Sequence, residues 1–242
     1  MSNSIFNLKD KVVLITGGMG IQGGEHKKAF EKVGAKVVIT DINGGDYNLD
    51  VTNENNIKDV INKVVKKFKK IDVWVNNHGA TGKQAVTNWD YIIKVNLTGT
   101  YICCQAAAEN MMETGGGSII NLASIYGLVA PDFSLYPKAK YAGKSMGVPA
   151  AYSASKGGVI ALTKHLASQY ADKNIRINCV IPGGIFDNQS DNFVKKYAQK
   201  TMLKRMANRD EVSGALLYLA SDLSSYVTGE NIIIDGGLTN RV

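Results

Sequence analysis

Cysteine, histidine and proline are scarce in this chain: three, three and four among 242 residues. Cys103, Cys104 and Cys179 sit in apolar stretches without metal-ligand spacing, so they read as reduced core thiols, not as a disulfide framework or a metal centre. His26 and His165 form no constellation with acids and read as surface or helix-packing residues; no metal is expected. No apolar run is long enough to span a membrane. The opening residues MSNSIFNLKD also lack the apolar core of a secretory leader, so the expectation is a cytoplasmic protein with no membrane partner. Internal repeats and low-complexity tracts are absent as well.

Charge of one sign is in modest excess, with 28 Lys and Arg against 21 Asp and Glu, a net +7. Such a balance invites a nucleic-acid partner. The lysines, however, are spread over helical faces, as at Lys63, Lys66, Lys67, Lys69 and Lys70, which reads as a solvated surface. The expected partner is a small molecule. Hydrophobic residues at 45% and charged residues at 20% are an ordinary balance, sufficient for a core without metal or disulfides. The length fits one large domain over residues 1–242.

Apolar, β-rich runs alternate with helical periodicity along the chain. Strands are expected at Val12 to Thr16, Lys36 to Thr40, Ile71 to Asn76, Ser118 to Leu122, Ile175 to Ile181 and Asn231 to Asp235, with a further short strand before Asp50. Helices are expected at Gln22 to Val33, Glu54 to Phe68, Asp90 to Glu113, Tyr152 to Asp172 and Arg209 to Ser221. This alternation predicts an α/β fold: one Rossmann-type, doubly wound parallel sheet of about seven strands with helices on both faces. Ligands in such sheets lie at the carboxyl ends of the strands. Residues 125–151 break the pattern. They hold Pro131, Pro137 and Pro149 without clear periodicity and read as a lid insertion.

The first strand runs into Gly17, Gly20 and Gly23, with Ile21 between the last two. Glycines at that turn permit close backbone approach to a pyrophosphate facing the next helix N-terminus. Asp41 ends the second strand, 18 residues after Gly23. A carboxylate there suits the two ribose hydroxyls of NAD and repels the 2′-phosphate of NADP. Ile42 follows it, and Asp50 and Val51 are placed to flank the adenine.

Together with Asn76-Asn77-His78-Gly79, the helix around Asn96, Ser124 at a strand end, Tyr152-Ser-Ala-Ser-Lys156, the turn Pro182-Gly183-Gly184-Ile185 and Asp235-Gly236-Gly237, these residues resemble the short-chain dehydrogenase/reductase family. The resemblance covers nearly the whole chain. It implies an NAD-dependent oxidoreductase that interconverts a secondary alcohol and a carbonyl. It assigns catalysis to Asn96, Ser124, Tyr152 and Lys156. Tyr152 is then the acid–base group, Lys156 the cation that lowers its pKa and bonds the nicotinamide ribose, Ser124 the holder of the substrate oxygen and Asn96 the holder of a water linking Lys156 to solvent. Asn77, His78, Gly79, Pro182, Gly183 and Ile185 fall to the cofactor. The family also implies a homodimer or homotetramer joined through the two long helices, where Ala106, Ala107, Ala108, Ala161 and Ala167 would permit close approach.

Four features depart from the family pattern. The Gly-x-x-Gly-x-x-Gly spacing resembles an extended, sugar-nucleotide branch whose longer C-terminal domain is missing; it raises the alternatives of an NAD-retaining lyase or epimerase and of a non-catalytic dinucleotide-binding protein. His78 stands where alanine is common. The segment from Asp41 to Asp50 is too short for the usual helix. Ser124 and Tyr152 are 28 positions apart, about twice the family's habit. That gap admits a rival, Tyr136-Pro-Lys-Ala-Lys140. Tyr152 is preferred, because helical spacing puts it on one face with Lys156 and because the proline after Tyr136 disfavours helical backbone there. Lys138, Lys140 and Lys144 with Tyr136 and Tyr141 make the insertion cationic and aromatic, suited to an anionic substrate or simply solvated. The insertion and the residues after Pro182-Gly183 also resemble members associated with bacterial surface-sugar and flagellin modification, which implies a sugar, a polyol or a sugar derivative as substrate.

Overall fold

The computed structural model describes residues 6–81, 88–136, 140–141, 144–145 and 147–240. Seven strands form the main sheet: β1 Val12–Thr16, β2 Lys36–Asp41, β3 Tyr47–Asn48, β4 Val73–Asn76, β5 Gly117–Leu122, β6 Ile175–Pro182 and β7 Asn231–Ile234. All pair in parallel, in the order β7-β6-β5-β4-β1-β2-β3. Strand β1 is buried along its full length, as a parallel strand covered on both faces must be.

The helices are α1 Gly23–Lys32, α2 Glu54–Phe68, α3 Trp89–Ile93, α4 Gly99–Thr114, α5 Ala150–Tyr170, α6 Asp191–Lys200 and α7 Ser213–Ala220. Ile57, Val60 and Val64 of α2 pack with Cys103, Cys104 and Met111 of α4 and Leu166 of α5 on one face of the sheet. Phe30 of α1 packs with Leu216 and Leu219 of α7 on the other. Asn53 caps α2 by accepting from Asn56 N at 3.1 Å, a contact that satisfies one of the helix's orphan donors.

The chain runs from β1 outward to β2 and β3, then returns to the other side of β1 to lay down β4. The order therefore reverses between β1 and β4, where a doubly wound sheet opens its ligand crevice. A buried polar row crosses the sheet one step below that crevice. Thr40, Thr16, Asn76, Asn121 and Cys179 are in register on neighbouring strands. Asn76 Nδ2 donates to Asn121 Oδ1 at 2.8 Å, and Asn121 Nδ2 donates to Thr163 Oγ1 on α5 at 2.9 Å. The row thus ties α5 to the strand ends.

Three expectations are corrected. The single helix expected from Asp90 to Glu113 is interrupted by a π-helical turn at Lys94–Thr98, where the wider turn buries Asn96 and lets its side chain bond Ala80 and Ser155. Helix α6 was not expected at all. Ala106, Ala107, Ala108 and Ala167 are buried inside the chain's own core, where they allow α4 and α5 to lie close to the sheet, and so are not exposed for a partner. Of that set only Ala161 is exposed. Within the insertion, short 3-10 turns occupy Ile125–Gly127 and Phe133–Leu135, and Lys140–Tyr141 pairs antiparallel with Lys144–Ser145. Pro137, Lys138 and the side chains of Lys140, Tyr141 and Lys144 lie outside the described residues. Among the described residues no helix is long and apolar enough to cross a membrane.

His26 is buried on α1, and its Nδ1 shares a hydrogen bond of 2.8 Å with Ser213 Oγ on α7. Burial holds its pKa at about 4, below the ordinary 6.5. The unfolded chain therefore binds more protons between those values. His26's contribution is whole above pH 6.5 and is lost as pH falls towards 4. That loss is about 3 kcal/mol at about 1.4 kcal/mol per pKa unit. Urea midpoints measured across this range should fall with pH in the native chain, and His26→Gln should flatten the fall while lowering the baseline.

Candidate active site

One cavity of about 580 Å³ opens along the carboxyl ends of the strands. Its wall takes in Gly17, Gly20, Ile21, Asp41, Ile42, Asp50, Val51, Asn77, His78, Gly79, Ser124, Tyr152, Lys156, Pro182, Gly183 and Ile185. Of the residues expected from the sequence only Gly23 and Asn96 are outside the wall, and both stand behind it.

The crevice is set by contacts too close for side chains. Gly17 has φ +61° and a Cβ there would lie 2.5 Å from the Cα of His78. Asn77 Nδ2 donates to the Gly17 carbonyl at 2.8 Å, joining the turns after β1 and β4. A Cβ on Gly23 would run into the carbonyl oxygen of Gly18, so Gly23 is needed for packing α1 against its own turn. No side chain caps the N-terminus of α1. Its first N–H groups face the cavity end that holds Gly20, Ile21 and Gln22, and Gln22 Nε2 is buried without a partner. An anion is the natural complement of such a terminus. The Asp41 carboxylate accepts from Met19 N at 3.1 Å and Asn43 N at 3.2 Å, which holds it at the edge of the same cavity. Asp50 Oδ1 accepts from Thr52 N and from Thr52 Oγ1, both at 2.8 Å. Pyrophosphate and ribose therefore find complementary groups here, and a dinucleotide fits these residues.

His78 reaches this cavity with its backbone; its ring is tied inside. Thr100 Oγ1 donates to the Asn96 carbonyl, so His78 Nε2–H is the donor to Thr100 at 3.3 Å, and Nδ1 accepts from Thr16 Oγ1 at 2.7 Å. Burial, reinforced by the Lys156 charge, holds the ring's pKa at about 3, so it is neutral. His78 acts as a spacer that links the end of β1 to the π-helical turn.

At the other end of the cavity Ser124, Tyr152 and Lys156 converge. Ser124 follows β5 in extended backbone at φ −162°, ψ 153°, and its hydroxyl is hydrogen-bonded to the Tyr152 phenol. Tyr152 and Lys156 lie one turn apart on α5, with Lys156 Nζ 5.8 Å from the Tyr152 ring centroid. Lys156 is buried, and its Nζ donates to the Leu122 carbonyl at 2.7 Å. Burial lowers its pKa to about 8.

One sequence expectation changes here, and a second residue has a further role. Lys156 is expected to lower the Tyr152 pKa, yet in this state burial raises it and the lowering comes from Ser124. The reason is that the amine is turned to Leu122, with its own charge weakened by burial. Asn96 is expected to hold a water, and its side chain is also bound within the protein. Oδ1 accepts from Ala80 N at 2.6 Å, and Nδ2 donates to Ser155 Oγ at 3.1 Å and to the Ala80 carbonyl at 3.3 Å. Asn96 thereby clamps α5 to the turn after β4.

Tyr136 also lines the cavity. Its backbone, at φ −93°, ψ −19°, is on the helical side despite the following proline, because a 3-10 turn ends there with Tyr136 N bonded to the Phe133 carbonyl at 3.2 Å. Its hydroxyl meets Tyr126 Oη at 2.6 Å. Tyr126, Phe193, Tyr197 and Met206 carry no site motif in the sequence, yet they line this cavity as well. Spacing of Phe193 and Tyr197 at i and i+4 is the available signal for α6.

Residues 11–198 match the short chain dehydrogenase family. A 3-oxoacyl-(acyl-carrier-protein) reductase of Thermotoga maritima is 36% identical over 96% of this chain and 98% of its own. An NADP-dependent mannitol dehydrogenase of Hypocrea jecorina is 34% identical over 98% of this chain and 95% of its own. The crystal structure of a short chain dehydrogenase from Leptospira borgpetersenii with bound NAD+ superposes with a TM-score of 0.86 at 35% identity, covering 99% of this chain and 97% of that one.

The two adjacent glycines at the start of α1 give a direct test of the close-approach argument. A Cβ at Gly24 meets nothing within 4 Å, unlike one at Gly23. Gly24→Ala should leave stability unchanged or raise it by up to about 1 kcal/mol. Gly23→Ala should lower it by about 1–3 kcal/mol, the usual cost of overpacking, as read from urea midpoints.

Proposed function

The chain belongs to the short chain dehydrogenase family, oxidoreductases that work with nicotinamide dinucleotides, and we propose that it oxidises a secondary alcohol of a sugar, a polyol or a sugar derivative, reversibly, with NAD and with Tyr152 as the proton acceptor. The observation that carries this reading is the meeting of Ser124, Tyr152 and Lys156 at one end of a cavity whose other end is the glycine turn. When bound there, nicotinamide supplies the hydride acceptor. The residues of the chain do the rest. Ser124 holds the substrate oxygen, Tyr152 takes its proton as hydride leaves the carbon, and the Lys156 ammonium favours the phenolate so formed. Asn96 positions the helix that carries both.

Asp41 supports NAD over NADP, since its carboxylate at the cavity edge repels a 2′-phosphate. We read residues 1–242 as one dinucleotide-binding domain with 125–151 as a lid over the substrate, from the place of Tyr126, Tyr136, Val148 and Pro149 in the cavity wall. The same reading has the protein in the cytoplasm as a homodimer or homotetramer joined through α4 and α5, on which Tyr101 and Met112 are 40% and 41% exposed. The relatives named above carry a polyol and an acyl carrier protein in their names; surface-sugar and flagellin modification rests on the sequence resemblance alone.

Nicotinamide reduction should be followed by absorbance with a panel of polyols, sugars and simple secondary alcohols. The native chain should turn over a member of the panel, and Tyr152→Phe should lose roughly 100- to 10,000-fold in kcat, the usual worth of a general acid–base group, while NAD affinity measured by calorimetry stays within a few-fold. Absence of turnover across the panel, or a Tyr152→Phe enzyme with full activity, contradicts the proposal. NAD should be preferred over NADP on the order of tenfold or more, as two like charges held close require, and Asp41→Ser should narrow that preference.

A further inference from the structure

The substrate end of the cavity holds a second pair of hydroxyls that the proton transfer does not use. Tyr126 stands two residues after Ser124, in the 3-10 turn Ile125–Gly127, and Tyr136 follows the turn Phe133–Leu135. Their hydroxyls are 2.6 Å apart, and both residues line the cavity with Ser124 and Tyr152. Among the described residues no other hydrogen bond is made by either hydroxyl. Burial raises the pKa of both phenols, that of Tyr136 to about 12, and charge on Tyr152 adds to both shifts. The pair is therefore neutral, half-buried and within electrostatic reach of the proton-transfer site. Phe193, whose ring centroid is 5.6 Å from that of Tyr136, braces it from behind.

Two phenols bonded to each other use one O–H between them. Among the described residues the second O–H has no acceptor, and both oxygens keep lone pairs. That set of one donor with acceptors complements an alcohol hydroxyl, itself a donor and an acceptor. It does not complement a hydrocarbon, which would leave a buried donor unpaired. Among the described residues the one charged side chain at this end is Lys156 of the proton-transfer site. The only charged side chains in the described cavity wall are Asp41, Asp50 and Lys156. The first two stand at the far end, just beyond β2 and β3.

We propose that the Tyr126–Tyr136 pair grips a second hydroxyl of the substrate while Ser124 and Tyr152 hold the one that reacts, so that the enzyme selects compounds carrying more than one hydroxyl. The inference rests on the alcohol-oxidising function proposed above and names its substrate class. A site built to bond a hydroxyl rejects the analogue without it, because the site's own buried groups are then left unpaired.

The test compares matched substrates that differ in neighbouring hydroxyls: vicinal cyclopentanediol with cyclopentanol, glycerol with isopropanol, and a hexitol with its monodeoxy analogue. The readout is the ratio of kcat/KM within each pair for the native enzyme, Tyr126→Phe and Tyr136→Phe. Both substrates are measured on one preparation, so partial loss of folded protein cancels from the ratio. The native enzyme should favour the richer alcohol, and each variant should reduce that preference by about 10- to 100-fold, the effect of one unpaired buried polar group, with little change for the poorer alcohol. A native enzyme without preference, or variants that retain it, overturns the inference and leaves the alcohol-oxidising function standing. A native enzyme that oxidises no alcohol in any pair or in the wider panel overturns that function, and the inference with it.

Discussion

A buried amine without a carboxylate is the constraint on which this structure turns. Lys156 Nζ donates a hydrogen bond to the Leu122 carbonyl at 2.7 Å, and burial brings its pKa down to about 8. A cation in that position persists only while the last carbonyl of β5 stays beneath it. Helix α5 must therefore be fixed against the sheet. Thr163 on α5 is bonded by Asn121 of β5, and Ser155, the residue before Lys156, is bonded by Asn96. These contacts hold Tyr152 beside Ser124. Docking of α5 and chemistry at Tyr152 thus share one set of hydrogen bonds.

The second constraint is the reversal of strand order between β1 and β4. It brings Gly17 against His78 and lets Asn77 bond the Gly17 carbonyl. His78 then carries the connection through Thr100 to Asn96. The cofactor end and the clamp on α5 are in this way joined by one buried chain of polar side chains, with a neutral imidazole at its middle. A histidine can span Thr16 and Thr100, which an alanine, common at this position in the family that the sequence resembles, cannot.

Much of this was legible in the sequence, for local reasons. Continuous apolar runs such as Val12 to Thr16 gave the buried strands, and the glycine turn with Asp41 placed the cofactor end. Spacing of four put Tyr152 and Lys156 on one face. Other features depend on contacts between distant residues. The π-helical turn has no local signature, since it goes with the loop after β4 closing over Asn96, whose Oδ1 accepts from Ala80 N. The pKa of Tyr152 depends on where the Lys156 amine points, and the pattern of types alone does not say. Gly23 was legible as a required glycine at a turn where the helix packs close, and its nearest constraint is the Gly18 carbonyl. Tyr136 was legible as a rival to Tyr152, and the fold places both in one cavity with separate hydroxyl partners.

That last arrangement bears the weight of the account, which assigns the reacting oxygen to Tyr152 with Ser124 and leaves Tyr136 to Tyr126. A crystal structure with NAD and a polyol that is bound but not turned over is the most direct measurement. The account predicts that one substrate hydroxyl lies within hydrogen-bond distance of both Tyr152 and Ser124, with its carbon facing the nicotinamide ring. A substrate oxygen held instead by Tyr136, with Tyr152 out of reach, would contradict it.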